Sequence, residues 1–263
     1  MSSFFNLKGE VTLNTEANTF VKHIPCDACG SKDNNSLYTD GHTYCFGCET
    51  RTDTGNENHT PVSTLATDTN SFLHSYKGSY NALDDRKISL NTAKVFGVLS
   101  SPNKHVYPYY NNNEVAATKT REIDSKKFYS GGNFEGTGLF GEHLYRNTGG
   151  KYLTITEGEC DAMAVYEIFG GKWSVVSLKR GCASAVKDIR ESLEFVEAYD
   201  NVVLAFDNDD AGQKAARKVA RILKPNKTKI MSFPTGFKDA NDMLKQGKFE
   251  EFIKAWWNSK TYT

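Results

Sequence analysis

Two stretches share one organisation and constrain the fold more than anything else in the chain. Each has an apolar, β-branched run, a turn dense in acids, and then a helix-patterned segment. In VVLAFDNDDAGQKAARKVARIL, Val202 to Leu223, the run ends at Phe206, and Asp207, Asp209 and Asp210 follow before a glycine opens the helical part. KYLTITEGECDAMAVYEIF, Lys151 to Phe169, repeats the arrangement with Glu157-Gly158-Glu159 and a helix led by Asp161. In open α/β sheets the ligand site lies beyond the carboxyl ends of the strands, so two acidic strand ends are expected to converge on one point. One acid suffices to cap a helix. Three crowded together repel one another unless a cation neutralises them. Cap and cation site therefore both stand as readings of this turn.

Three further segments extend the pattern. WSVVSLKRGCASAVKDI predicts a strand and then a basic turn, Lys179-Arg180-Gly181, beside the acidic ones. TKIMSF predicts another strand, with Asp239 and Asp242 of KDAND after it, and Phe249 to Trp257 reads as an aromatic-rich amphipathic helix used for packing. The helix after Asp210 puts Lys214, Arg217, Lys218 and Arg221 on one face and Ala215, Val219 and Ile222 on the other. No acid interrupts Ala211 to Lys229. A basic face adjoining an acid cluster is the charge separation expected where divalent cations and a polyanion meet.

Near the N-terminus, Cys26, Cys29, Cys45 and Cys48 form a C-x2-C-x15-C-x2-C pattern, the spacing of a zinc ribbon. Each CxxC turn aims two thiolates at one point, and the Asp40-Gly41 turn of a hairpin brings the second pair to the first. His23 and His42 offer alternative nitrogens, but four thiolates already complete a tetrahedron. Asp40 and His42 sit on the hairpin tip, where contact with a partner and plain turn chemistry explain them equally well. The other two of the six cysteines, Cys160 and Cys182, are isolated, so a reduced compartment with a metal site fits better than disulfides.

Residues 1–20 are polar without a clean period and are expected to form a partly ordered tail. Residues 53–71, DTGNENHTPVSTLATDTNS, hold almost no large apolar side chain and are expected to be a flexible linker. From Phe72 a mixed α and β region begins, with a short helix predicted around Ser89 to Phe96 and strands near His105 to Tyr110 and Glu114 to Thr120. In AATKTREIDSKKF, strand alternation aims Lys119 and Arg121 the same way, and Lys126 and Lys127 follow a turn. A phosphate-binding face and a solvated charged face both account for that run. Lys plus Arg and Asp plus Glu are each 32, so net charge steers the chain to neither nucleic acid nor membrane. No window approaches the ~18 apolar residues of a spanning helix and no leader pattern opens the chain, which predicts a soluble, intracellular protein.

TEGECDA and FDNDDAG resemble the two motifs of the TOPRIM fold shared by bacterial-type primases, topoisomerases and related nucleases. With the four-Cys ribbon before them, KTREIDSKKF between, and KDAND after, the order of motifs from Ile24 to Trp257 resembles the primase half of the bacteriophage primase/helicase family and, more distantly, DnaG-type primases. The resemblance implies an α+β chain with a ribbon at 1–52, a linker at 53–71, and a two-part RNA polymerase domain at 72–263. The TOPRIM α/β core of that domain is expected at about 150–242. It implies a DNA primase, a nucleotidyltransferase that makes short RNA primers on single-stranded DNA from ribonucleoside triphosphates.

Carried over by motif, Glu157, Asp207 and Asp239 match metal-site carboxylates, with Asp209 the second acid of Asp-x-Asp. These imply two catalytic Mg²⁺ ions, with Mn²⁺ as a substitute, beside one structural Zn²⁺. Lys119 and Lys126 match residues that handle nucleotide and primer phosphates, with Arg121 alongside them. Lys127 is interchangeable with Lys126, because the segment runs one residue longer than the family pattern. Asp40 and His42 match the ribbon tip that reads the template. The resemblance further implies a replicative helicase, fused or recruited, a DNA polymerase as partner, and the cytoplasm of an infected bacterium as location. Two other readings belong to different classes. A zinc-finger/TOPRIM recombination mediator binds DNA without catalysis but lacks the nearly one hundred residues found here between finger and fold. A TOPRIM nuclease or topoisomerase differs in its attacking group.

Overall fold

The computed structural model describes residues 20–39, 41–46, 48, 50–52, 76–146 and 149–263. The expected tail up to residue 19, the expected linker at 53–71 and Asp40 lie outside the described residues. The chain divides into two units, Met1–Thr64 and Leu65–Thr263.

The smaller unit is an antiparallel sheet of β1 (Phe20–Ile24), β2 (Asn35–Tyr38), β3 (Thr43–Cys45) and β4 (Arg51–Thr52), paired in that order. The turn after β1 carries Cys26 and Cys29. Its Gly30 sits at φ 70, a left-handed conformation, where the Gly30 N–H donates to the Cys26 carbonyl at 2.9 Å. β2 and β3 form the expected hairpin, pairing Asn35 with Cys45 and Leu37 with Thr43.

The described residues of the larger unit form two sheets. The first is an antiparallel meander of β5 (Leu99–Ser101), β6 (Lys104–Asn111), β7 (Glu114–Glu122) and β8 (Phe128–Gly132). It follows helix α1 (Leu90–Val95), capped by the Ser89 side chain, which accepts the Thr92 N–H. The second sheet comprises β9 (Gly150–Thr156), β10 (Ser174–Ser177), β11 (Tyr199–Ala205), β12 (Thr228–Ile230) and β13 (Lys260–Thr261), in the order β10-β9-β11-β12-β13. All its pairings are parallel except β12 with β13. Helices α2 (Glu159–Ile168), α3 (Ala185–Glu191), α4 (Leu193–Glu197), α5 (Asp210–Ala220), α6 (Ala240–Lys245) and α7 (Phe249–Trp257) complete the unit.

Strand alternation divides the core between the two faces of this sheet. Val203 and Ala205 pack with α2, α6 and α7 and with Tyr107, Tyr109 and Phe140. Val202 and Leu204 pack on the other face with Ala185 and Ile189 of α3 and Ala215, Ala216 and Val219 of α5. Helix α7 packs as its pattern predicts, burying Phe252 and Trp256. In α5 the apolar stripe is buried while Lys214, Arg217 and Lys218 remain exposed.

Candidate metal centres and active site

In the ribbon the four cysteine sulfurs lie within 4.8 Å of one another. Cys26 Sγ is 3.7 Å from Cys48 Sγ, and Cys29 Sγ is 3.6 Å from Cys45 Sγ. A tetrahedron with Zn–S bonds of about 2.3 Å has edges of about 3.8 Å, so the thiol spacing fits zinc. Neither histidine belongs to this cluster. His23 Nδ1 lies 3.2 Å from Ser36 Oγ, while His42 is buried and stacked on Tyr38 with centroids 4.3 Å apart.

The second centre forms where β9 and β11 run out side by side. Their register pairs Thr156 with Ala205, so the chain leaves both strands at the same level, Glu157 directly after β9 and Asp207 after Phe206. Helix α5 then starts so close to the Asp207 backbone that a Cβ at Gly212 would collide with the Asp207 carbonyl oxygen. A third segment is fastened to this end of the sheet because Asn208 N–H donates to the Lys238 carbonyl at 2.9 Å.

Asp161, Asp207 and Asp239 converge there, each offering a carboxylate oxygen within 4.8 Å of the others. Asp161 is the member that sequence reading passed over as a carboxylate at a helix start. Its signal was the E-x-x-x-D spacing from Glu157, which carries an acid from the strand end into the first turn of α2. Asn241 N–H donates to Asp161 Oδ1 at 3.0 Å and so draws α6, with Asp239 as its N-cap, onto α2. Burial and the neighbouring Asp239 hold the Asp161 carboxyl well above the usual range. Burial also raises Asp207 to about 6, against the opposing pull of Lys238, whose Nζ is 2.8 Å from Asp207 Oδ2. Three crowded, partly buried carboxylates are a hard-oxygen donor set of the kind a divalent metal takes.

Two expected ligands stand outside that trio. Glu157 Oε2 accepts from the Cys182 thiol at 2.8 Å. Asp209 caps α5, its Oδ1 accepting the Gly212 N–H at 2.8 Å. The acids of this turn divide: Asp209 is the cap, and Asp207 faces the cluster.

The basic residues separate in the same way. Lys119 Nζ donates to Glu159 Oε1 at 2.8 Å and to the Lys179 carbonyl at 3.2 Å, and it lies 5.2 Å from the Phe128 ring centroid. Arg121 is buried and donates to Asp85 Oδ2 at 3.2 Å. Lys126 and Lys127 are exposed in the turn between β7 and β8. The expected basic turn after β10 is only half basic at its surface. Lys179 is buried, its ammonium held by the Thr137 carbonyl and Glu191, while Arg180 is exposed. A buried ammonium needs such partners, and sequence pattern does not reveal them.

Residues 154–244 match the family described as Toprim-like, and residues 21–57 match the zinc-binding domain of primase-helicase. The crystal structure of the primase fragment of the bacteriophage T7 primase-helicase is 33% identical, covers 91% of this chain and 100% of that one, and superimposes with a TM-score of 0.63. This chain belongs to the bacteriophage primase-helicase family. Within that family, the DNA helicase/primase of Enterobacteria phage T3 is 34% identical over 256 residues, which are 92% of this chain and 44% of the relative. The chain thus spans less than half the length of that phage primase-helicase. T7 primase domains, in a structure where the T7 lagging-strand DNA polymerase interacts with two of them bound to an RNA/DNA hybrid and dTTP, are 31% identical. That match covers 70% of this chain and 94% of that one at a TM-score of 0.63. As a member of the family, the chain carries a zinc site in the ribbon and a divalent-cation site in the Toprim fold. Among its described residues no helix is long and apolar enough to cross a membrane.

Proposed function

We propose that this chain, a DNA primase by family, joins ribonucleoside triphosphates into short RNA primers on a single-stranded DNA template. The observation that carries the reading is the convergence of Asp161, Asp207 and Asp239 at adjoining parallel strand ends, in a chain that also holds the four-thiol cluster. Asp161, Asp207 and Asp239, with Glu157 beside them, would hold two Mg²⁺ ions, or Mn²⁺ in their place. Those ions, when bound, activate the attacking 3′-hydroxyl and screen the leaving pyrophosphate. Asp209 fixes the helix start behind Asp207. Lys238 pairs with Asp207 and offsets part of the charge of the acid cluster. Lys119, Lys126 and Lys127 bind nucleotide and primer phosphates as point charges, and Arg121 braces β7, the strand of Lys119, through Asp85.

The ribbon, at 1–52, reads the template through its hairpin tip, with Asp40 making contact and His42, buried against Tyr38, holding the tip, and residues 53–71 tether it to the synthetic part at 72–263. Further partners are a replicative helicase and a DNA polymerase, in the cytoplasm of an infected bacterium. Support for the polymerase comes from the T7 primase domains seen with theirs.

The test incubates the zinc-loaded chain with single-stranded DNA, ribonucleoside triphosphates and Mg²⁺. Short, template-complementary RNA is the expected product. Cleavage of the DNA, or no RNA with either Mg²⁺ or Mn²⁺, refutes the proposal.

A further inference from the structure

Glu159 lies between Glu157 and Asp161 in the first turn of α2, yet its carboxylate turns away from the acid cluster and is buried. Its Oε1 accepts two hydrogen bonds from the meander sheet, from Tyr109 Oη at 2.6 Å and from Lys119 Nζ at 2.8 Å. Lys119 Nζ also donates to the carbonyl of Lys179 at 3.2 Å, three residues before Cys182, the thiol that meets Glu157. One ammonium therefore ties the turn after β9 to the turn after β10, the two turns that flank Glu157. An ammonium has three N–H donors. Two are engaged here, and Lys119 keeps some exposure, with 17% of its side chain accessible.

A buried carboxylate would be expensive if it served only to hold α2, because Tyr109 alone does not balance its charge. Nor is Lys119 free to wander, as a solvated lysine is. We infer that Glu159 is a positioning residue. With the Lys179 carbonyl it aims the third N–H of Lys119 at the phosphate of the incoming nucleotide, in fixed register with the metal-holding acids of the same helix turn. The inference rests on the proposed role of Lys119 in phosphate binding. It adds that the lysine reaches phosphate from a latch on α2.

Steady-state extension of a preformed primer by Glu159→Gln, Glu159→Ala and Lys119→Ala tests this, with zinc content and melting temperature as controls for folding. Misplacing a phosphate-binding group is expected to raise the nucleotide KM of Glu159→Ala roughly tenfold or more. Its dependence on Mg²⁺ should stay unchanged, since the acid trio is intact. Glu159→Gln keeps an acceptor oxygen for Lys119, and its KM should fall between wild type and Glu159→Ala. The double variant should be no worse than Lys119→Ala, because both changes remove the same contact. If Lys119→Ala itself leaves KM unchanged, the phosphate role of Lys119 fails. If Lys119→Ala raises KM while folded Glu159→Gln and Glu159→Ala do not, or if they lower only kcat, the latch fails and Lys119 acts without it.

Discussion

The ribbon and the Toprim centre are both built to hold metal, and they solve the electrostatics in opposite ways. In the ribbon, four soft thiols stand at tetrahedral spacing with contacts of 3.6 and 3.7 Å, so the ligand set is complete and leaves no position for substrate. At the Toprim centre three hard carboxylates converge beside an ammonium, and a divalent cation held by so few protein ligands would keep positions for water. A closed set stabilises a small sheet that has little core of its own. An open one crowds like charges, and burial with neighbouring carboxylates raises Asp161 and Asp207, within a unit stabilised elsewhere by two apolar cores.

Removing zinc should break the comparison hardest. Structural zinc contributes about 10 kcal/mol or more to small domains, so chelation or Cys45→Ser should unfold the ribbon while the larger unit keeps its own melting transition. Calorimetry with elemental analysis checks this, and a single shared transition lost with the zinc would show that the units are not separable. Asp207→Ala should do the reverse. Primer synthesis should fall roughly a thousandfold, about 4 kcal/mol of transition-state stabilisation, with zinc content and melting unchanged. Asp161→Asn should fall in the same class, and near-normal synthesis by either would remove the trio from the chemistry.

Acid should separate the units by mechanism. Thiolates lose zinc on protonation, so the ribbon's transition should vanish with its metal. In the larger unit, His143 stacks on Tyr110 with centroids 3.9 Å apart, and burial pushes its pKa down to about 4. The unfolded chain protonates this histidine near 6.5, so between about 6.5 and 4 the unfolded state binds more protons and stability falls as pH falls. That loss should be about 2 kcal/mol, allowing for partial exposure. His143→Phe, which keeps the stacking and cannot titrate, should flatten this part of the pH–stability curve in thermal melts. An unchanged slope would place the acid sensitivity elsewhere. Smallest of all, Asp209→Ala should cost about 1 kcal/mol of stability through the lost cap. It should slow synthesis far less than Asp207→Ala. Equal loss of activity in matched kinetics would move Asp209 from cap to metal ligand.

Much of this was readable from local pattern. The strands at 104–111 and 114–122, the short helix at 90–95 and the helix at 249–257 follow from apolar period, which acts over a few residues. The thiol cluster follows from spacing alone, because two CxxC turns joined by a short hairpin have few ways to meet. Alternation correctly placed Lys119 and Arg121 on one face of β7, but it carried no information about what that face would meet. In the fold it meets Glu159 and Asp85.

By itself, then, the sequence determined most of the longer elements, the four-thiol site and the fact that acids crowd the ends of β9 and β11. Which acids share a point was decided only by tertiary structure. β9 had to lie beside β11 with Thr156 level with Ala205, and Asn241 had to bring α6 onto α2, before Asp161, Asp207 and Asp239 converged. Asp161 and Asp239 are far apart in sequence, and a carboxylate at a helix start looks the same in the sequence whether it caps, packs or binds a cation. The difference lies in which other charges the fold places within a few ångströms of it, and no short-range pattern encodes that.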